Sequence, residues 1–116
     1  MAYERVANQA ELPPTKMKIV VVNGKEILLA NVYGMYYAIA NKCTHSGGSL
    51  GQGSLDGTCV RCPNHGAMFD LRTGKAVEGA KIGFMKIKVK DETCYPVKIE
   101  GTDILVGFEE ILTKEF

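Results

Sequence analysis

Two short segments hold every histidine of the chain: Cys43-Thr44-His45 and, sixteen residues further on, Cys62-Pro63-Asn64-His65. Each pairs a soft sulfur donor with an imidazole, and such donors suit a transition metal. The short spacers bring the two side chains of a pair toward one point, and two loops can then close a site from opposite sides. A single Cys-x-His would carry little weight. Both pairs, in one glycine-rich stretch, make a strong metal-site signal. Two cysteines with two histidines are also a zinc set. Zinc fingers, however, run cysteine–cysteine and then histidine–histidine on a helix. Here each pair is mixed and its surroundings read as strand and loop.

The stretch that must position these residues, 41–84, contains Gly47, Gly48, Gly51, Gly53 and Gly57 and has no long alternating run. It cannot build a large core alone, so metal binding would contribute to its folding. It reads as a loop-dominated subdomain of about 41–84 inserted into a base of about 1–40 and 85–116, one domain over residues 1–116. Strand-like runs fall at 3–7, 16–22, 25–32, 35–40, 58–61, 67–70, 85–90, 95–100 and 104–107. Asn23-Gly24 predicts a tight hairpin, because a type I′ turn needs positive φ at both central residues. Gly34, Asp56-Gly57, Thr73-Gly74, Glu78-Gly79 and Glu100-Gly101 punctuate the other runs. Many short strands with regular turns imply an all-β fold, a small antiparallel sandwich or barrel. Residues 9–12 read as a single helical turn stopped by Pro13-Pro14. Phe108, Ile111, Leu112 and Phe116 have the spacing of a C-terminal amphipathic helix.

The chain has 116 residues, 46% hydrophobic and 23% charged, with a net charge of +1, so nothing points to nucleic acid or an anionic membrane. No run approaches the ~20 apolar residues of a membrane span. Residues 1–15 have no export-signal pattern. The expected location is cytoplasmic, where cysteines stay reduced or bind metal.

Cys-Thr-His-Ser-Gly-Gly from Cys43 and Cys-Pro-Asn-His-Gly-Ala-Met-Phe-Asp from Cys62 resemble the two cluster-binding boxes of Rieske proteins, in particular the low-potential Rieske ferredoxins of oxygenase systems. The likeness extends more loosely over about residues 2–106, including the final hairpin from Tyr95. It implies one [2Fe–2S] cluster, with Cys43 and Cys62 on one iron and His45 and His65 on the other, at an exposed tip. Neutral imidazoles in place of two thiolates make such a cluster easier to reduce than an all-cysteine one, roughly −150 to +300 mV. High-potential members carry an extra cysteine in each box, bridging the loops. Gly48 and Asn64 stand there instead, so no bridge can form. Those members also have a serine and a tyrosine whose hydroxyls donate to cluster sulfurs, where this chain has Ala67 and Phe69. At ~1–2 kcal/mol per lost hydrogen bond, their absence lowers the potential by roughly 90–170 mV. The expectation is a low-potential centre.

The resemblance further implies an electron-transfer protein rather than an enzyme. Its redox partners would be a flavin or iron–sulfur reductase upstream and a terminal oxygenase or similar enzyme downstream. A second reading is a subunit of a stable multi-subunit oxidoreductase. The catalytic iron site of an oxygenase, with two histidines and a carboxylate, cannot be built here, because no third histidine exists. A third reading is a non-redox module of the same fold, like the small subunit of some nitrite reductases, but such chains lack the ligands that are intact here.

Pro63 would stiffen the second ligand loop, and Gly47, Gly48 and Gly66 would allow backbone to approach the cluster. Cys59 forms Cys-x-x-Cys with Cys62, but no βαβ context supports a thioredoxin-like pair. Cys59 and Cys94 read as small buried or half-buried thiols, with a bridge between them left open. Lys86, Lys88 and Lys90 alternate with Met85, Ile87 and Val89, either a solvated strand face or a dock for an acidic partner. The family's proline-rich loop over the cluster is replaced by residues 78–85 without proline, where Ile82, Phe84 or Met85 would supply apolar cover.

Overall fold

A computed structural model describes residues 2–44 and 47–108. Asn23 and Gly24 turn the chain at φ +52° and +77°, the backbone that a type I′ turn demands. They join β2 (Lys16–Val22) to β3 (Lys25–Val32) in full antiparallel register, Val22 opposite Lys25 and Lys16 opposite Asn31. Tyr33 and Gly34, also at positive φ, lead β3 into β4 (Met35–Ala40). With β11 (Cys94–Tyr95) these strands make a sheet of order β11-β4-β3-β2.

That sheet is the middle layer. Period-two alternation sends successive β3 side chains to opposite faces, and both faces are covered. Ile27 and Leu29 pack with Leu12, Ile104 and Val106, under the sheet of order β1-β13-β12, formed by β1 (Ala2–Asn8), β13 (Asp103–Phe108) and β12 (Val97–Glu100). Leu28, Ala30 and Val32 face the other way, onto Cys43, Leu50, Val60, Cys62 and Phe69. The second core therefore includes both candidate ligand cysteines. Above it lies the sheet of β5 (Ser54–Asp56), β6 (Cys59–Arg61), β7 (Met68–Asp70) and β8 (Ala76–Glu78), followed by the hairpin of β9 (Ala80–Ile82) and β10 (Met85–Ile87). The all-β antiparallel expectation holds.

Residues 95–100, read as one strand, are two. Cys94–Tyr95 pairs with β4 and Val97–Glu100 with β13. Pro96 has no N–H to continue a ladder, and its carbonyl accepts the Gly107 N–H at 2.9 Å, so the chain changes sheets there. The strand expected over 85–90 ends at Ile87. The turn at 9–12 is a short 3-10 turn, Gln9–Glu11, capped by Asn8. Most of the expected C-terminal helix lies outside the described residues.

Candidate metal centre

The two loops that carry the candidate ligands repeat one hydrogen-bond pattern. Cys43 N–H donates to the Gly48 carbonyl at 2.7 Å, and Gly47 N–H donates back to the Cys43 carbonyl at 2.8 Å. In the second loop Cys62 N–H donates to the Ala67 carbonyl at 2.7 Å, and Gly66 N–H donates to the Cys62 carbonyl at 3.2 Å. Each loop is thus a tight turn closed at a cysteine, with a glycine four residues on at φ +70° or +76°. That backbone is strained for side chains bearing a Cβ and open to glycine.

The loops face one another. A Cβ placed on Gly48 would lie 2.6 Å from Asn64 Nδ2 and 3.1 Å from its Cγ. The two positions singled out as replacing a loop-to-loop bridge are therefore in contact across the site. Cys43 and Cys62 are 3% and 2% exposed within the same core. Their neighbour Ala67 is buried as well, whereas Pro63, Asn64 and His65 are exposed. Sulfur donors sit at the base and the described imidazole at the surface. His45 and Ser46 lie outside the described residues, and among the described residues no three metal-binding side chains form a group. Two buried thiols on matched turns, with the one described imidazole at the surface beside them, have the donor chemistry that a mixed sulfur-and-nitrogen two-iron cluster takes.

Residues that the motif does not mark hold the loops in place. Buried Asn41 accepts the Gly51 N–H at 2.8 Å and donates to Glu26 at 3.1 Å and to Ser49 Oγ at 3.0 Å, pinning both ends of the first loop. Glu92, also buried, accepts the Thr44 N–H at 3.0 Å, while the Thr44 hydroxyl donates to the Lys90 carbonyl. Burial, partly offset by the Thr44 N–H, pushes the Glu92 carboxyl up to about 7. The second loop is tied by Arg61, which donates to the Gly66 carbonyl at 2.8 Å and to Glu78 at 3.3 Å, and by Lys81 N–H on the His65 carbonyl at 2.8 Å. In sequence, Asn41 beside the first box and Arg61 beside the second are the only cues; Glu92 offers none.

The apolar cover differs from expectation. Ile82, Phe84 and Met85 are exposed, and Ile87 and Val89 pack on the core that contains the cysteines. The chain reverses at Gly83-Phe84, so the tip of the hairpin has nothing to lie against, whereas residues past its base return to the core. Gly79, read as a turn, works through close approach, since a Cβ there would lie 2.2 Å from the Ile87 carbonyl oxygen. Cys59 is half-buried and Cys94 exposed rather than buried, and both are free thiols.

Residues 2–87 match the family model of the Rieske [2Fe-2S] domain. The ferredoxin component of the naphthalene 1,2-dioxygenase/salicylate 5-hydroxylase systems of Ralstonia sp. is 38% identical over 99 residues, 85% of this chain and 88% of that protein. The biphenyl dioxygenase ferredoxin subunit of Pseudomonas sp. strain KKS102 is 33% identical over 109 residues, 93% of this chain and 94% of that protein. Among solved structures, the ferredoxin of carbazole 1,9a-dioxygenase from Nocardioides aromaticivorans IC177 superposes with a TM-score of 0.81 at 28% identity, covering 94% of this chain and 100% of the other. Paired turns, buried thiols and an exposed imidazole thus coincide with the family match, and the chain belongs to the Rieske [2Fe–2S] domain family, with one [2Fe–2S] cluster as its cofactor.

Proposed function

We propose that this chain is a cytoplasmic one-electron carrier that receives electrons from a reductase and delivers them to a terminal oxygenase, holding its cluster on Cys43, His45, Cys62 and His65. One observation carries the reading: both ligand thiols are sealed in the core while His65 stands at the surface. The relatives, ferredoxin components of dioxygenase systems, support an oxygenase as the acceptor.

When bound, the cluster supplies a reversible one-electron change at a potential set by its ligands and hydrogen bonds. The protein's part is positional. Cys43 and Cys62 would hold one iron, and they lie in a core with Leu28, Leu50 and Phe69 that keeps water from their sulfurs. His45 and His65 would hold the other, with His65, Pro63 and Asn64 exposed where a partner can approach. A small, transient contact serves such an exchange. The chain carries electrons and turns over no substrate itself. In this reading residues 1–40 and 85–116 form the base, residues 41–84 the cluster subdomain, and the whole 1–116 works as one unit.

Anaerobically isolated protein should contain two irons and two acid-labile sulfides per chain and give an EPR signal on dithionite reduction. Added to the reductase and terminal oxygenase of the Ralstonia systems, in place of their own ferredoxin component, it should support turnover by the oxygenase. One zinc without sulfide would overturn the reading. Tight co-purification with an oxidoreductase at fixed stoichiometry would replace the free carrier by a resident subunit.

A further inference from the structure

The β9–β10 hairpin pairs with no other described strand; it follows β8 and reaches back to the second loop of the site. Lys81 on β9 donates its N–H to the His65 carbonyl at 2.8 Å, so the hairpin starts one hydrogen bond from an imidazole ligand. Its root is fixed. Ala80 is fully buried, Ile87 packs on the cysteine-bearing core, and Gly79 lies against the Ile87 carbonyl with no room for a Cβ. Its tip is the reverse: Phe84 is fully exposed and Met85 is 63% exposed. With Ile82 exposed as well, three neighbouring apolar side chains stand in water at the tip, and a contiguous exposed apolar patch marks an interaction site.

Charge indicates what docks there. Residues 80–90 carry four lysines, Lys81, Lys86, Lys88 and Lys90, and no acid. Ten basic and thirteen acidic side chains remain elsewhere, so the rest of the chain is three net negative while this segment is four positive. All four lysines are exposed, and only Lys81 has an ion pair among the described residues, with Glu78 at 3.8 Å. A positive field beside the edge where the electron leaves steers a negative surface to that edge.

We propose that this hairpin is the finger by which the protein recognises its terminal oxygenase: Phe84 inserts into an apolar notch on that enzyme, and Lys86 and Lys88 meet carboxylates around it. The inference rests on the carrier reading above, and two arms of one experiment keep the two apart. The first uses ferricyanide as a small anionic oxidant of the dithionite-reduced holoprotein in stopped flow. Lys86→Glu with Lys88→Glu should slow oxidation roughly 3- to 10-fold at low ionic strength and abolish most of its salt dependence. Phe84→Ala should leave this rate unchanged.

The second arm measures binding to the Ralstonia terminal oxygenase by surface plasmon resonance. Phe84→Ala should weaken binding about 10-fold, as loss of an aromatic anchor does, and the charge swap should do so at low salt. The EPR spectrum of each reduced variant should match the wild type. Ferricyanide rates indifferent to the swap, or wild-type binding by both variants, would overturn the proposal. Should the wild-type protein pass no electron to the oxygenase, the carrier reading fails, while the ferricyanide arm still decides whether hairpin charge governs the exit edge.

Discussion

Replacing Glu92 by glutamine tests how the first ligand loop is held. Glu92 is 6% exposed as a residue, its carboxylate accepts the Thr44 N–H between two candidate ligand positions, and it belongs to no ion pair among the described residues. Burial outweighs that hydrogen bond and moves its pKa from 4.5 to about 7. Tyr95 senses the same carboxylate: its hydroxyl is raised first by burial and then by the Glu92 charge. Between pH 4.5 and 7 the folded chain keeps a proton that the unfolded chain has released, so stability is greatest below 4.5 and falls as pH rises toward 7. The interval corresponds to about 3 kcal/mol.

Glu92→Gln retains the acceptor and the shape and cannot ionise. The variant should gain under ~1 kcal/mol at pH 5 and about 3 kcal/mol at pH 8 relative to the wild type. For a chain of this size the larger figure is roughly 10 °C in Tm. Thermal scans of the holoprotein from pH 5 to 8.5, followed by visible absorbance and circular dichroism at one fixed scan rate, measure it. The fixed rate matters because release of the cluster makes unfolding irreversible. A gain independent of pH, or a variant less stable than the wild type at pH 8, would refute the reasoning, because the carboxylate would then be ionised and stabilising where it lies.

Gly48→Cys with Asn64→Cys should bridge the two loops, since the 3.1 Å from a Gly48 Cβ to Asn64 Cγ matches the ~3.0 Å between Cβ and the far sulfur implied by disulfide geometry; a gain of about 3 kcal/mol is expected, read as a Tm shift lost on mild reduction. Ala67→Ser places a hydroxyl in the core beside both cysteines and should raise the midpoint potential by about 40–90 mV if it donates to sulfur; redox titration showing no rise means that the bond is not made. The wild-type midpoint itself should lie near the negative end of the Rieske range, and a value above 0 mV contradicts the absence of side-chain donors at Ala67 and Phe69. His65→Cys adds a thiolate charge and should keep two irons while lowering the potential toward the ~−400 mV of all-cysteine ferredoxins; an unchanged potential in titration would remove His65 from the ligand set.

What the sequence discloses follows from how local each determinant is. Candidate ligands at short spacing announce themselves because the spacing is itself local, and Asn23-Gly24 announces a hairpin because positive φ at both positions is a property of those two residues. Glu92 is silent for the opposite reason. Nothing within ten residues of it indicates that it will accept an N–H from Thr44, 48 positions away. Asn41 holds Glu26 on one side and Ser49 and Gly51 on the other, and its role exists only once β3 and β4 are paired.

The segment after β8 shows where local reading goes astray. Gly79 and Gly83 look alike in sequence, but Gly83, at φ +62°, reverses the chain, and Gly79 yields room to a carbonyl from the opposite strand. A turn at the first glycine is compatible with Ile82, Phe84 or Met85 as the apolar cover. Taking the second puts them in solvent and brings Ile87 and Val89 back to the cysteines. Composition cannot choose between these phases, since both leave an apolar residue for the core. The steric demand at Gly79 does choose: a Cβ 2.2 Å from the Ile87 oxygen could be relieved only by parting the hairpin from its root. That contact fixes both the cover of the ligand site and the exposure of Phe84.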